Sequence, residues 1–329
     1  MNTRIDNQPA LVAPRGSVKN LPVNLFGAVM GLAGLSLAWR LASNVYGAST
    51  MIAQAVGMTA IVVFIALALG YIAKWATYPS AVKAEFTHPT AWNFFGTITI
   101  SILLLSTVVA SYSAWLQQIV WTIGAISTIA LSFIGVTRLL KGNIDGNHAV
   151  PAWLIPGVAT LDIAVAGGSL PMAWAHEVNL FAISVGAVVA VVFFTMIFAR
   201  LVHRAPLAAG MIPSMMILIA PFEVGFLAYV NVMHSVDTFA ALLFYFGLFF
   251  FIILAPRIFR PSVAFAPGWW AISFPMAALS NAALKYAAAQ QTIALHYLAG
   301  VILVIVTIAI VVLFVRTLHS LANGQLLGG

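Results

Sequence analysis

The chain has 329 residues, of which 63% are hydrophobic and only 6% charged, and its mean hydropathy is +1.06. A soluble protein of this size carries about a quarter charged residues, so the composition excludes a soluble globular protein and places the chain in lipid. The net charge of +7 is scattered rather than gathered on one face, which is not a nucleic-acid signature, and zero cysteines exclude disulfides, thiolate metal sites and cysteine nucleophiles.

The first twenty residues are polar and lead straight into a full-length apolar span, so residues 1–21 read as a cytoplasmic tail rather than a cleavable signal. About 20 apolar residues cross the hydrocarbon core. Ten such stretches follow, at approximately 22–43, 50–78, 89–110, 114–140, 151–169, 177–201, 207–231, 237–256, 267–287 and 291–317, with residues 319–329 as a second cytoplasmic tail. Period-2 alternation is absent, which predicts helices rather than barrel strands.

With the N-terminus inside, twelve of the fourteen basic residues sort to the cytoplasmic side: Arg4, Arg15, Lys19, Lys74, Lys83, Arg138, Lys141, Arg200, Arg204, Arg257, Arg260 and Arg316. Only Arg40 and Lys285 fall outside. This bias predicts both termini in the cytoplasm and checks the span count, since one missed helix would scramble it.

The odd-numbered spans share a plan. Each begins at a proline: Pro22, Pro89, Pro151, Pro206 and Pro267. Five to eight residues later stands a Gly or Pro preceded by a bulky apolar residue: Phe26-Gly27, Phe95-Gly96, Ile155-Pro156, Ile212-Pro213 and Phe274-Pro275. The second members are 69, 60, 57 and 62 residues apart, a two-helix period that predicts five helical hairpins. The even spans are thick with Val, Ile, Leu and Phe, as lipid-facing helices are. Broken backbone at membrane depth is tolerated only where it is buried or lines an aqueous cavity. The pattern therefore predicts an all-α integral membrane fold of ten helices, five kinked ones inside and five greasy ones outside, quasi-five-fold around a central pore.

Four charged residues fall on the inner spans. At about 1.5 Å per residue, Asp162 lies roughly 9 Å outward of the kinks, Glu223 and Lys285 roughly 15 Å, and Arg40 roughly 20 Å. Glu223 and Lys285 are level, which predicts a pair near the outer mouth. Asp162 has no evident partner; capping by hydroxyls, protonation and a role in coupling all stay open. The conduit at the kink level carries no fixed charge. No phosphate loop or paired-histidine motif occurs, so neither a metal nor a cofactor is expected, and no converging nucleophile and base suggest an enzyme. Trp92 and Trp269-Trp270 fit an interfacial belt.

The stretch GWWAISFPMAAL resembles the ninth-helix signature of the slow-type anion channel and bacterial TehA (tellurite-resistance) family. AVKAEFTHPTAWNFF, LPVNLFGAVMGLAGLSLAWR and VDTFAALLFYFGLFFFIILAPRIF agree with it, so the likeness covers nearly the whole chain. That family also includes malate and other C4-dicarboxylate transporters and sulfite exporters. The resemblance implies a homotrimer in the bacterial inner membrane, with a pore in each subunit and a ninth-helix phenylalanine, here Phe274, as its plug. TehA members carry Gly where Pro275 stands, which moves the likeness toward the plant and dicarboxylate branches. The long tails of regulated plant channels have no counterpart, so phosphorylation of such a tail is not expected.

The expectation is thus a channel domain over 22–318 that conducts small inorganic or organic anions, closed by Phe274. Pro275 would bend the ninth helix and turn the ring inward, and Phe26, Phe95, Ile155 and Ile212 would complete a collar. The alternative is a proton-coupled transporter for C4-dicarboxylate, sulfite or tellurite-related anions, with Asp162 or Glu223 coupling protons.

Overall fold

The computed structural model describes residues 16–142 and 145–328; Arg4 and Arg15, and most of the N-terminal tail, lie outside them. Among the described residues eleven α-helices run in order: α1 Gly27–Tyr46, α2 Thr50–Thr77, α3 Pro79–Thr87, α4 Phe95–Val109, α5 Ala114–Leu140, α6 Leu154–Gly167, α7 Ala173–His203, α8 Ala220–Met233, α9 Thr238–Ile258, α10 Ser273–Gln290 and α11 Ile293–Ala322. No strand occurs among the described residues. Eight helical segments are long and apolar enough to cross a membrane. Pro151–Gly167 is apolar but shorter, and Pro267–Gln290 is interrupted by Ser273, Ser280, Asn281 and Lys285.

The chain is an all-α integral membrane fold built as two concentric layers. In the inner layer α1 packs on α4, α4 on α6, α6 on α8, α8 on α10, and α10 back on α1, so the ring closes. The outer helices α2, α5, α7, α9 and α11 each wedge between two neighbours of that ring. Sequence dictates the layering: the inner segments are mostly buried, whereas the Val-, Ile- and Phe-rich outer helices leave most of their surface exposed. Such exposed apolar surface is stable only against lipid.

Every inner helix starts in the same way. A stretch of 3-10 helix comes first: Val23–Phe26, Ala91–Phe94, Pro151–Trp153, Ala209–Ile219 and Pro267–Ile272. An α-helix then takes over at Gly27, Phe95, Leu154, Ala220 and Ser273. Changing from i→i+3 to i→i+4 bonding strands backbone carbonyls that lipid cannot satisfy. At the first inner segment three such carbonyls lie within reach of hydroxyls on the neighbouring inner helices: Phe26 O is 3.2 Å from Ser101 Oγ, Val23 O 3.4 Å from Thr97 Oγ1 and Gly27 O 3.1 Å from Ser273 Oγ. Each hydroxyl makes its shortest bond to a carbonyl of its own segment.

This geometry corrects one expectation. Pro275 does not kink the middle of a helix. It is the third residue of α10, as Pro156 is of α6, while Pro221 is the second of α8. At these positions each proline lacks the N–H that would bond back into the preceding 3-10 turn. The prolines therefore mark the point where the 3-10 segment gives way.

At the end where the inner prolines cluster, hereafter the proline end, a polar tie holds α2, α3 and the start of the chain together. Lys74 Nζ lies 2.9 Å from Glu85 Oε2 and donates to Leu21 O at 2.7 Å, and Tyr71 Oη donates to Glu85 at 2.6 Å. Lys74 is almost fully buried, so these partners replace its hydration.

Candidate functional site

Two cavities lie inside the ring, and each is bordered by all five inner helices. The one toward the proline end has a volume of 40 Å³ and is walled by Gly27, Met30, Ile100, Ile155, Ala220 and Phe274 among others. Its few polar groups include Thr97, whose hydroxyl is spent on Phe94 O at 2.6 Å, and Asn24, whose side-chain oxygen is buried without a partner. The second cavity, toward the opposite end, has a volume of 180 Å³. Its wall includes Arg40, Thr107, Asp162, Asn231, Asn281 and Lys285.

Phe274 borders both cavities. Its ring is 7% exposed and sits against α1 at Gly34, where an added Cβ would stand 3.9 Å from ring Cδ2. A side chain at Gly34 would only touch the ring; it would collide with Ala277 Cβ, at 2.8 Å.

The site residues expected from sequence divide into two groups. Phe274, Pro275, Gly27 and Ile155 line the proline-end cavity. Phe26, Phe95, Gly96, Pro156, Ile212 and Pro213 do not, so the five-residue collar is not formed as drawn from matched depth. Phe26 points outward, with its ring edge-on to Phe64 and Tyr71 at 5.9 and 6.1 Å, and Phe95 meets Tyr71 and Phe86 at 6.1 and 5.1 Å. Gly96 is a contact point, since a Cβ there would lie 2.9 Å from Ile155 Cγ2. Pro156 faces a groove between helices. Ile212 and Pro213 lie eight residues, nearly three 3-10 turns, too early; the counterpart of Phe274-Pro275 on α8 is Ala220-Pro221, and it is Ala220 that reaches the cavity.

The charged residues also part company. Glu223 and Lys285 do not pair, and among the described residues the ion pair is Lys74–Glu85. Glu223 is fully buried, turned onto Gly247 of α9, with neither carboxylate oxygen hydrogen-bonded. A Cβ at Gly247 would collide with it. Lys285 Nζ instead donates to Asn231 Oδ1 at 2.5 Å, and Asn231 Nδ2 to Val165 O at 2.7 Å. Arg40 Nη1 donates to Thr107 O at 3.0 Å. Asp162 is fully buried with both oxygens unpartnered, so the wider cavity carries two cations and one free carboxylate. The conduit is uncharged on the proline side of Phe274 and charged on the other.

Those donors suit an anion. Arg40 and Lys285 keep N–H groups free beyond the bonds named above, whereas Asn281 spends Nδ2 on Gly34 O and Ala277 O at 2.9 and 2.7 Å. Among the described residues no three His, Asp or Glu side chains come together in a metal-holding group.

Residues 20–318 match the SLAC1 family profile, described as voltage-dependent anion channel. A tellurite resistance protein TehA homolog from Haemophilus influenzae is 28% identical over 271 residues, covering 81% of each chain. An uncharacterized transporter from Methanocaldococcus jannaschii is 25% identical over 283 residues, 79% of this chain and 82% of that one. The guard cell S-type anion channel SLAC1 of Arabidopsis thaliana is 27% identical over 321 residues, which cover 90% of this chain and 55% of the plant protein.

Proposed function

The chain belongs to the SLAC1 family of voltage-dependent anion channels, and on that premise we propose that it conducts small anions along the axis of the inner ring, with Phe274 as the gate. One observation carries the reading: a single aromatic side chain borders both cavities. A ring at such a constriction excludes water and ions together, and its rotation, or a shift of α10, opens the path. The ten-span topology, with residues 22–318 as the channel domain between two cytoplasmic tails, puts the proline end in the cytoplasm. Basic residues in the last turns of α5, α7 and α9 then make that mouth positive and concentrate anions there. Arg40 and Lys285 do the same on the far side of the gate. In this reading the protein is a homotrimer in a bacterial inner membrane, each subunit with its own path.

Asp162 favours a second reading. An unpartnered carboxyl group that shares a cavity with two basic residues is what a proton-coupled carrier of an organic or sulfur oxyanion would need. Reconstitution separates the two. A channel gives ohmic currents that reverse at the anion equilibrium potential. A carrier gives saturable flux driven by a pH gradient, and Asp162→Asn abolishes that drive.

A further inference from the structure

A cavity of 330 Å³ lies outside the ring, between the 3-10 stretch that precedes α4 and the proline-end halves of α5, α6 and α7. Two glycines hollow it. A Cβ at Gly135 would stand 2.7 Å from Trp92 Cη2, and one at Gly157 would stand 3.0 Å from Phe193 Cδ2. Its deeper wall, with Val136, Val189 and Phe193, is apolar apart from Ser132.

The polar groups lie nearer the proline end. Arg138, in the last turn of α5, is held flat over two rings, 4.3 Å from the centre of Phe86 and 5.0 Å from that of Trp92. One of its N–H groups goes to Phe86 O at 2.9 Å, which leaves the others free. Trp153 also walls the cavity. It is 95% buried, and its indole N–H has no partner. A buried donor left unpaired is destabilising, so this one calls for an acceptor. Lone indole donor and fixed guanidinium together call for an oxygen-rich anion.

We propose that this groove binds one anionic phospholipid. Its phosphodiester oxygens accept from Trp153 Nε1–H and Arg138, and the first part of an acyl chain runs along Phe193 and Val189. Two features favour a lipid over a free anion: the apolar continuation of the groove, and the place of Arg138 in the last turn of a spanning helix, where headgroups lie. Basic pockets between spanning helices are known headgroup sites. A zwitterionic headgroup would bring its own cation toward Arg138 and Lys141, so a net negative lipid is preferred. Pro156 and Gly157 form part of the groove wall while the adjoining Ile155 borders the inner-ring cavity. The lipid therefore touches the turn of α6 that also faces the lumen.

The test is native mass spectrometry of the full chain in detergent, with phosphatidylglycerol and phosphatidylcholine added at equal concentration. Phosphatidylglycerol should be retained at least about tenfold better, the effect of one charge-assisted hydrogen bond. Trp153→Phe keeps the ring and removes the donor, and should lower retention by about the same factor. Arg138→Gln should erase the preference between the two lipids. Melting temperatures establish that each variant is folded, and if one is not, the other and the wild-type preference still decide. Equal retention of both lipids, or unchanged retention in Trp153→Phe, overturns the site. Displacement by millimolar inorganic phosphate would assign it to a soluble anion instead. Cross-linking that puts a second subunit over Trp153 would assign the groove to subunit contact.

Discussion

Ser273 on α10 reaches across to α1: its hydroxyl donates to Gly27 O at 3.1 Å, and its Cβ stands 2.5 Å from where a Cβ on Gly31 would be. The two helices close the ring at this contact, and they meet there because Gly31 has no side chain. Gly31→Ala forces them apart and is expected to cost about 1–3 kcal/mol, the usual price of overpacking. Gly210→Ala, with nothing within 4 Å of the new methyl, should be neutral. Thermal unfolding in detergent compares the two.

Phe26 and Phe274 were matched in depth but differ in role. Phe26 is buried against Phe64 and Tyr71 and borders neither inner-ring cavity. Phe26→Ala should destabilise by about 3–5 kcal/mol and leave anion conductance per folded protein unchanged. Measuring flux and melting temperature on the same reconstituted sample separates the two effects.

The tie at the proline end makes a signed prediction as well. Lys74→Met leaves Glu85 with only the Tyr71 hydroxyl, at a cost of about 3 kcal/mol, the lower part of the range for a broken buried pair because Glu85 is partly exposed. Lys74→Met combined with Glu85→Gln should recover part of that loss. A double-mutant cycle measures the recovery.

Asp237 supplies a pH dependence outside the spans. The Tyr229 hydroxyl, at 2.6 Å, and then the Ala240 N–H, at 3.0 Å, hold its carboxyl below the usual range. A folded-state value below the unfolded one stabilises fully above about pH 3.9 and is lost as pH falls through the lower value. Asp237→Asn keeps a helix cap but removes the charge. Its melting temperature should lie below that of the wild type at neutral pH, and the gap should close in acid.

How much of this was legible depends on the kind of information. Composition and the two-helix period carried the layered, closed ring, because lipid leaves helices few alternatives. Depth was legible only where the start of the α-helix was placed correctly: Asp162, Lys285 and Arg40 share one cavity, whereas Glu223 stands two residues past Pro221, roughly 12 Å short of the level Lys285 reaches ten residues past Pro275. Rotation was not. Each residue turns about 100° around the helix, and nothing in a uniformly apolar segment says which side faces the lumen. Phe26 and Phe95 accordingly point outward. On α8 the pattern of a bulky residue before proline fitted Ile212-Pro213, but the 3-10 stretch runs on to Ile219. Pro221, close before the buried Glu223, was the signal that would have found Ala220.

The central claim is that the Phe274 ring is what closes the path between the two inner-ring cavities. It is tested by anion current through reconstituted protein carrying Phe, Leu, Val or Ala at position 274, at matched protein density. Current should rise as the side chain shrinks, by at least about tenfold from Phe to Ala, which corresponds to removing roughly 1.4 kcal/mol of barrier. Equal currents across the series, with every variant folded, would contradict it.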